Sequence, residues 1–106
     1  MSDYVLLYSG GTMPETDDEI AAVTKAWTDW MSELGDALKD GGNPFTPAAK
    51  TISADGSVTG GSVGTMATGY SIINAGSLDD AVSLAKGCPV LQGDAKITVY
   101  ETVQMM

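Results

Sequence analysis

The fold is decided by three consecutive segments: Gly69-Tyr70-Ser71-Ile72-Ile73-Asn74, Ser77-Leu78-Asp79-Asp80-Ala81-Val82-Ser83-Leu84-Ala85-Lys86-Gly87 and Lys96-Ile97-Thr98-Val99-Tyr100. The first and third are rich in β-branched and aromatic residues, which favours strands. In the second, the Ser77 hydroxyl can cap the amide of Asp80, and Gly87 followed by Pro89 ends the helix. The stretch therefore predicts a strand, a helix and a final strand.

The first half of the chain predicts another strand and another helix. Tyr4-Val5-Leu6-Leu7-Tyr8 has the composition of a strand. Thr16 and Glu19 form a capping box at the start of an amphipathic helix. Gly41-Gly42 is predicted to end this helix after about six turns. Its core-facing stripe is predicted to comprise Ile20, Val23, Trp27, Trp30, Met31, Leu34 and Leu38.

A hairpin is predicted between these two halves. Lys50-Thr51-Ile52-Ser53 and Ser57-Val58-Thr59 flank the Asp55-Gly56 turn, and Gly60 to Gly69 is predicted to be a flexible loop. The order is β-α-β(hairpin)-β-α-β, which predicts a ferredoxin-like α+β fold, βαββαβ, with an extra hairpin. An antiparallel sheet then carries two helices on one face, and residues 1–106 are expected to form a single domain.

The strands carry apolar or aromatic groups on both faces. Ile97 and Val99 alternate with Thr98 and Tyr100, and a similar alternation runs from Tyr70 to Asn74. Helices cover one face, so the other is expected to meet a partner. A homodimer that packs sheet on sheet is the predicted solution.

Composition restricts the possible partners and compartment. The net charge of −9, with five Lys and no Arg, disfavours binding to nucleic acid or to an acidic membrane surface. No apolar run approaches the roughly 20 residues of a membrane span. The first residues are not basic and enter a strand, so no signal peptide is predicted. A single cysteine, Cys88, fits a reducing compartment, and we expect a cytoplasmic protein.

Few residues suit catalysis or metal binding. The absence of His excludes histidine-based catalysis and His metal sites. Cys88 has no His to act as its base and is interpreted as a packing residue. Asp29, Glu33, Asp36 and Asp40 lie opposite the apolar stripe and are interpreted as a solvated face. We predict no metal site and no cofactor, and the sequence identifies no catalytic residue.

Strand tyrosines are the candidates for binding a small organic molecule. Tyr8, Met66, Tyr70 and Tyr100 are predicted to form an apolar and hydrogen-bonding wall, with the Gly60–Gly69 loop as its cover. Asn74 is expected to add an oriented polar contact. We expect an uncharged or cationic ligand, because the chain is acidic.

The chain resembles the YCII-related family. The resemblance rests on Tyr4 to Tyr8, on the hairpin with Asp55-Gly56, and above all on Gly69 to Leu91. It implies a dimeric α+β barrel, similar in fold to small barrel monooxygenases that act on polyketide-like and quinol substrates. Some family members carry a His and an Asp in the barrel pocket, and many have Asp-Gly-Pro-Phe after the hairpin. Here there is no His, and the corresponding run is Gly60-Gly61-Ser62-Val63.

Three hypotheses for function follow. The first is a small homodimeric YCII-like protein that binds a small organic molecule in a barrel pocket and lacks the His-based site of some relatives. The second is a cofactor-free small-molecule enzyme, similar to a lyase or a monooxygenase, that uses Tyr, Asn or Trp hydrogen bonds. The third is a purely structural or interaction module.

Overall fold

The computed structural model describes residues 2–11, 15–62 and 64–104. These described ranges contain two α-helices and six strands, joined in part by the 3₁₀ turns Gly35–Ala37 and Pro89–Gly93. In chain order these helices and strands are β1 (Ser2–Gly10), α1 (Asp17–Leu34), β2 (Leu38–Asp40), β3 (Lys50–Ile52), β4 (Val58–Gly60), β5 (Ala67–Ala75), α2 (Leu78–Ala85) and β6 (Ala95–Glu101).

Four strands form the main sheet in the order β2-β5-β1-β6, and all neighbours are antiparallel. Both helices lie on one face of this sheet, and β3 pairs with β4 in a separate two-stranded sheet. The predicted ferredoxin-like α+β fold with an extra hairpin is therefore confirmed. The main sheet is open, with β2 and β6 as its edges. Within the described residues, no helix is long and apolar enough to cross a membrane.

The core lies between the sheet and the helices. Tyr4, Leu6 and Tyr8 alternate along β1 and are buried against the helices. On the helical side, the Trp30 ring nitrogen donates a hydrogen bond to the Leu84 carbonyl at 3.1 Å, which ties α1 to α2. Buried alanines on α2, Ala81 and Ala85, allow that helix to lie close to the sheet.

The prediction for the end of the first helix was wrong. Helix α1 ends at Leu34, because Gly35 takes a positive φ of 53° and its amide bonds back to the Met31 carbonyl. The chain then turns, and Leu38 lies on β2 rather than on a helix. Leu38 still packs against the core, because it pairs with buried Ile73.

The predicted core stripe of α1 is also shorter than expected. Ile20 is 46% exposed and Val23 is 39% exposed, whereas Trp30 and Leu34 are buried. The N-cap is confirmed, since the Thr16 hydroxyl accepts the Glu19 amide at 3.1 Å. The helix therefore starts where the sequence indicates, but its first two turns extend beyond the core.

The decisive stretch from β5 to β6 folds as predicted. Ser77 accepts the Asp80 amide at 3.1 Å and caps α2. Gly87 follows the helix end, and a Cβ there would lie 3.2 Å from Trp30 Cδ1. Close packing against Trp30 therefore accounts for glycine at this position.

We predict that Gly42→Ala destabilises the fold. Gly42 has a φ of 74°, and an added Cβ would meet the Tyr70 carbonyl oxygen at 1.6 Å, so the loop after β2 would have to leave β5. The unfolding free energy should fall by about 2–4 kcal/mol. Urea unfolding followed by circular dichroism measures it. Gly76→Ala is the control, because its Cβ meets only the flexible Asp80 carboxylate at 3.3 Å; equal losses would contradict the prediction.

Candidate functional site

The main sheet has a second face that the helices do not cover. We call it the open face. Residues of β1 and β5 on this face are half-buried, while those of β6 are exposed. It comprises Val5, Leu7, Ser9, Tyr70, Ile72, Asn74, Thr98 and Tyr100, with the charged residues Asp3, Asp40 and Lys96 at its margins.

Side chains on the open face stand in rows across three strands. Val5 lies opposite Ile72 on one side and Tyr100 on the other. Leu7 lies in the same way between Tyr70 and Thr98. Residues opposite each other on antiparallel strands point to the same side, so these rows form one continuous surface. Its centre is apolar with hydroxyl groups and carries no formal charge.

A pocket of about 350 Å³ lies on this face, near the end of β1. Leu7 and Ala67 provide apolar contacts, and hydroxyl groups come from the other lining residues, which are Ser9, Thr65, Thr98 and Tyr100. Hydroxyl groups both donate and accept hydrogen bonds. The pocket therefore suits a small ring that bears hydroxyl or carbonyl groups.

Most of the predicted site residues lie on or beside the open face. Tyr100 lines the pocket, and Met66 lies between the two lining residues Thr65 and Ala67. Tyr70 lies in the same cross-strand row as Leu7 and Thr98. Its ring stacks on that of Phe45, with ring centroids 5.8 Å apart. Asn74 lies at the edge of the face, where its amide donates to the Asp3 carboxylate at 3.0 Å.

Tyr8 lies on the opposite face of the sheet. Its side chain is buried in the core, and its hydroxyl donates to Ser71 Oγ at 2.7 Å. Ser71 Oγ in turn donates to the Gly41 carbonyl at 2.8 Å, and the Cys88 thiol contacts the Tyr8 oxygen at 3.7 Å. We call this chain of hydrogen bonds the core relay. The structure therefore separates Tyr8 from the other predicted residues.

The core relay is protected from ionisation. Burial raises the pKa of Tyr8 well above its usual value, although the hydrogen bond with Ser71 opposes the shift. Burial also raises the pKa of Cys88. Among the described residues, no buried side-chain nitrogen or oxygen lacks a hydrogen-bond partner. This arrangement favours structural stability, because it holds both acidic groups in their neutral forms.

Sequence reasoning missed most of the residues that line the pocket. The available signal was the strand period of two: Leu7 and Ser9 alternate with buried Leu6 and Tyr8. Phe45 also extends the open face, and its position between two prolines hid its contact with Tyr70. The predicted Gly60–Gly69 loop is shorter than expected, since Gly60 ends β4 and β5 begins at Ala67. Val63 lies outside the described residues.

Carboxylates are distributed over the surface rather than gathered in a site. Asp29, Glu33, Asp36 and Asp40 are all exposed, and Asp29 pairs with Lys25 at 2.7 Å. This ion pair and its hydrogen bond raise the pKa of Lys25. In the described part of the chain, no group of three or more potential ligands is placed to hold a metal ion.

Comparison with solved structures supports the fold. A match is 5-chloro-2-hydroxyhydroquinone dehydrochlorinase from Burkholderia phenoliruptrix AC1100, in complex with 2,5-dihydroxybenzoquinone. It is 18% identical with a TM-score of 0.53, and the match covers 95% of this chain and 94% of that chain. No protein-family model matches the sequence, and no curated protein matches it. At this identity, the likeness shows a shared fold.

We predict that Tyr8→Phe weakens the fold without disturbing the open face. The substitution removes the donor to Ser71 and the acceptor for Cys88. Loss of buried hydrogen bonds should lower the unfolding free energy by about 1–3 kcal/mol. Urea unfolding at neutral pH measures this change. An unchanged midpoint and slope would show that the relay does not stabilise the fold.

The core relay also predicts how stability depends on pH. Cys88 and Tyr8 have pKa values above the usual 9.0 and 10.0 in the folded protein, because they are buried. In the unfolded chain they lose protons at those usual values, so stability is fully present below about pH 9 and falls above it. Tyr8→Phe should make this fall shallower. Urea unfolding at about pH 8 and about pH 10 gives the unfolding free energy of each protein at both pH values. An equal loss of free energy between the two pH values in the wild type and in Tyr8→Phe would contradict the prediction.

Proposed function

We propose that this chain is a one-domain, YCII-like protein that forms a homodimer through its open face and binds a small, uncharged organic ring between the two sheets. The observation that carries the proposal is the 350 Å³ pocket, in which hydroxyl groups surround Leu7 and Ala67. Its volume is at the lower end for small-molecule sites, which corresponds to a single-ring ligand.

The chemistry of the pocket favours binding over catalysis. Hydroxyl groups orient a ligand through hydrogen bonds, and the sequence contains no His that could act as a base near neutral pH. A surface with a net charge of −9 lowers the local concentration of anions, which disfavours an anionic ligand. A binding protein therefore fits this pocket better than a cofactor-free enzyme does.

The second copy is needed because the pocket is open. Small-molecule sites bury about 70–90% of the ligand surface, but here Thr98 and Tyr100 are exposed. A second sheet packed about 10 Å away would cover both the pocket and the half-buried apolar rows beside it. One contact between two sheets therefore buries the apolar surface and closes the site.

The resemblance to the YCII-related family supports the same arrangement. That family implies dimeric barrels, and the solved dehydrochlorinase with this fold holds a dihydroxybenzoquinone. A quinone or hydroquinone ring has the size and the polar groups that this pocket suits. Hydroquinone is therefore the first ligand to test, because it is uncharged at neutral pH.

We predict that hydroquinone binds saturably and that Tyr100→Phe weakens its binding. The substitution removes one lining hydroxyl group and keeps the ring, so Kd should rise by about 2- to 10-fold. Isothermal titration calorimetry in the presence of a reductant measures Kd. Tyr8→Phe makes the same chemical change on the opposite face and should leave Kd unchanged. Absence of binding, or equal effects of both variants, would refute this site.

We predict that Leu7→Asp dissociates the dimer. The wild-type protein should sediment at twice its 10.9 kDa chain mass at micromolar concentration. A carboxylate in the centre of the open face would be buried without a counter-charge, which costs on the order of several kcal/mol in each copy after relaxation and water penetration. Ser83→Asp, on the exposed side of α2, is the control with the same added charge. A folded Leu7→Asp dimer would contradict this interface.

A further inference from the structure

The hairpin β3–β4 projects from the main sheet as an arm, which we define as residues Ala49–Gly61. It is well ordered within itself: Gly61 N donates to the Ala49 carbonyl at 2.8 Å, and Ser53 N donates to the Ser57 carbonyl at 2.8 Å. At the turn, Asp55 accepts both the hydroxyl and the amide of Ser57, and these bonds lower the pKa of Asp55. The arm therefore has a defined shape.

One side of the arm is apolar and exposed. Ile52 and Val58 are cross-strand partners, so their side chains lie on the same side of the hairpin. Ile52 is 72% exposed and Val58 is 55% exposed. An isolated two-stranded hairpin is only marginally stable in water unless one side packs against something else. The exposed Ile52–Val58 pair is therefore an apolar surface without a packing partner among the described residues.

The shape of the protomer points the same way. Its radius of gyration is 15.2 Å, whereas a compact domain of this length has about 13 Å. The protomer is a slab with extents of 44 × 38 × 18 Å, broad in two directions and thin in the third. Two such slabs stacked on their open faces would form a dimer about as thick as it is wide.

The arm would add contact area to an interface formed through the open face, because it is continuous with the border of that face. Standard interfaces bury about 800 Å² of accessible surface on each partner. Phe45 stacks on Tyr70 before the arm, and Thr65 lines the pocket after it.

Charge indicates that the occupant is a second copy. The arm contains one cation and one anion, Lys50 and Asp55, in a chain with a net charge of −9. Two acidic copies repel one another wherever carboxylates face carboxylates, so they approach best through uncharged surfaces. A basic partner would instead select a surface rich in carboxylates. The neutral arm and the neutral centre of the open face both fit self-association.

We propose that the arm of each copy packs its Ile52–Val58 side against the second copy, at the border of the open face, and clasps the dimer. This inference rests on the proposed dimer and extends it to a specific interlocking contact. Symmetry then provides the contact twice, because the two copies exchange identical arms.

The test compares two charges on opposite sides of one arm. Ile52→Asp places a carboxylate on the apolar side, and Thr59→Asp places one on the other side. Both positions are exposed in the protomer, so both variants should fold, which far-ultraviolet circular dichroism checks. Sedimentation velocity over a dilution series gives each dimer Kd. We expect Ile52→Asp to raise Kd at least tenfold relative to Thr59→Asp.

The outcomes separate this inference from the proposed function. A wild-type dimer that Ile52→Asp leaves equally tight overturns the clasp and leaves the dimer intact. A wild-type protein that stays monomeric at every concentration overturns both. Weaker hydroquinone binding by Ile52→Asp with an unchanged dimer Kd overturns the clasp, because it makes the arm a cover for the ligand. Weaker association by Ile52→Asp alone supports it.

Discussion

A buried chain of hydrogen bonds connects four parts of this small protein that are far apart in sequence. The Cys88 thiol meets the Tyr8 hydroxyl, Tyr8 donates to Ser71, and Ser71 donates to the Gly41 carbonyl. These groups come from the turn after α2, from β1, from β5 and from the loop after β2. In a low-dielectric interior each bond is costly to break, because a buried polar group left without a partner loses its solvation. The relay therefore reinforces the arrangement that buried Tyr4, Leu6 and Ile73 also favour, in which alternate residues of β1 and β5 face the helices.

The residues of β1 and β5 that alternate with the buried ones form the open face, which is the side of the sheet available for binding. Because side chains alternate along a strand, placing Tyr8 and Ser71 inside sends Leu7 and Tyr70 outside. The inner face is fully hydrogen-bonded within the described residues, and burial keeps its tyrosine and cysteine neutral. The open face has the opposite character, with apolar rows, hydroxyl groups and a pocket accessible to solvent. Structure and recognition are therefore divided between the two sides of one sheet.

Local sequence signals predicted much of this fold, and long-range packing decided the rest. Ser77 capped α2 and Asp55-Gly56 turned the hairpin as expected, because both depend on neighbouring residues. The helical period continued past Leu34 to Leu38, however, and only the turn at Gly35 shows that Leu38 belongs to a strand paired with β5. Tyr8 and Tyr100 looked alike as strand tyrosines in the sequence. Their separation follows from the register of three strands, which periodicity alone does not give.

The size of the chain makes the surface contacts more important. Ile20, Val23, Ile52 and Val58 are apolar and exposed, because they lie beyond the core between the main sheet and the two helices. A domain of about 100 residues buries a smaller fraction of its surface than a larger one, so each apolar side chain left in water removes part of a small stabilising total. Packing two thin slabs on their open faces converts part of this exposed surface into a shared interior. The same contact would enclose the pocket, so in this architecture association and ligand binding depend on the same side chains.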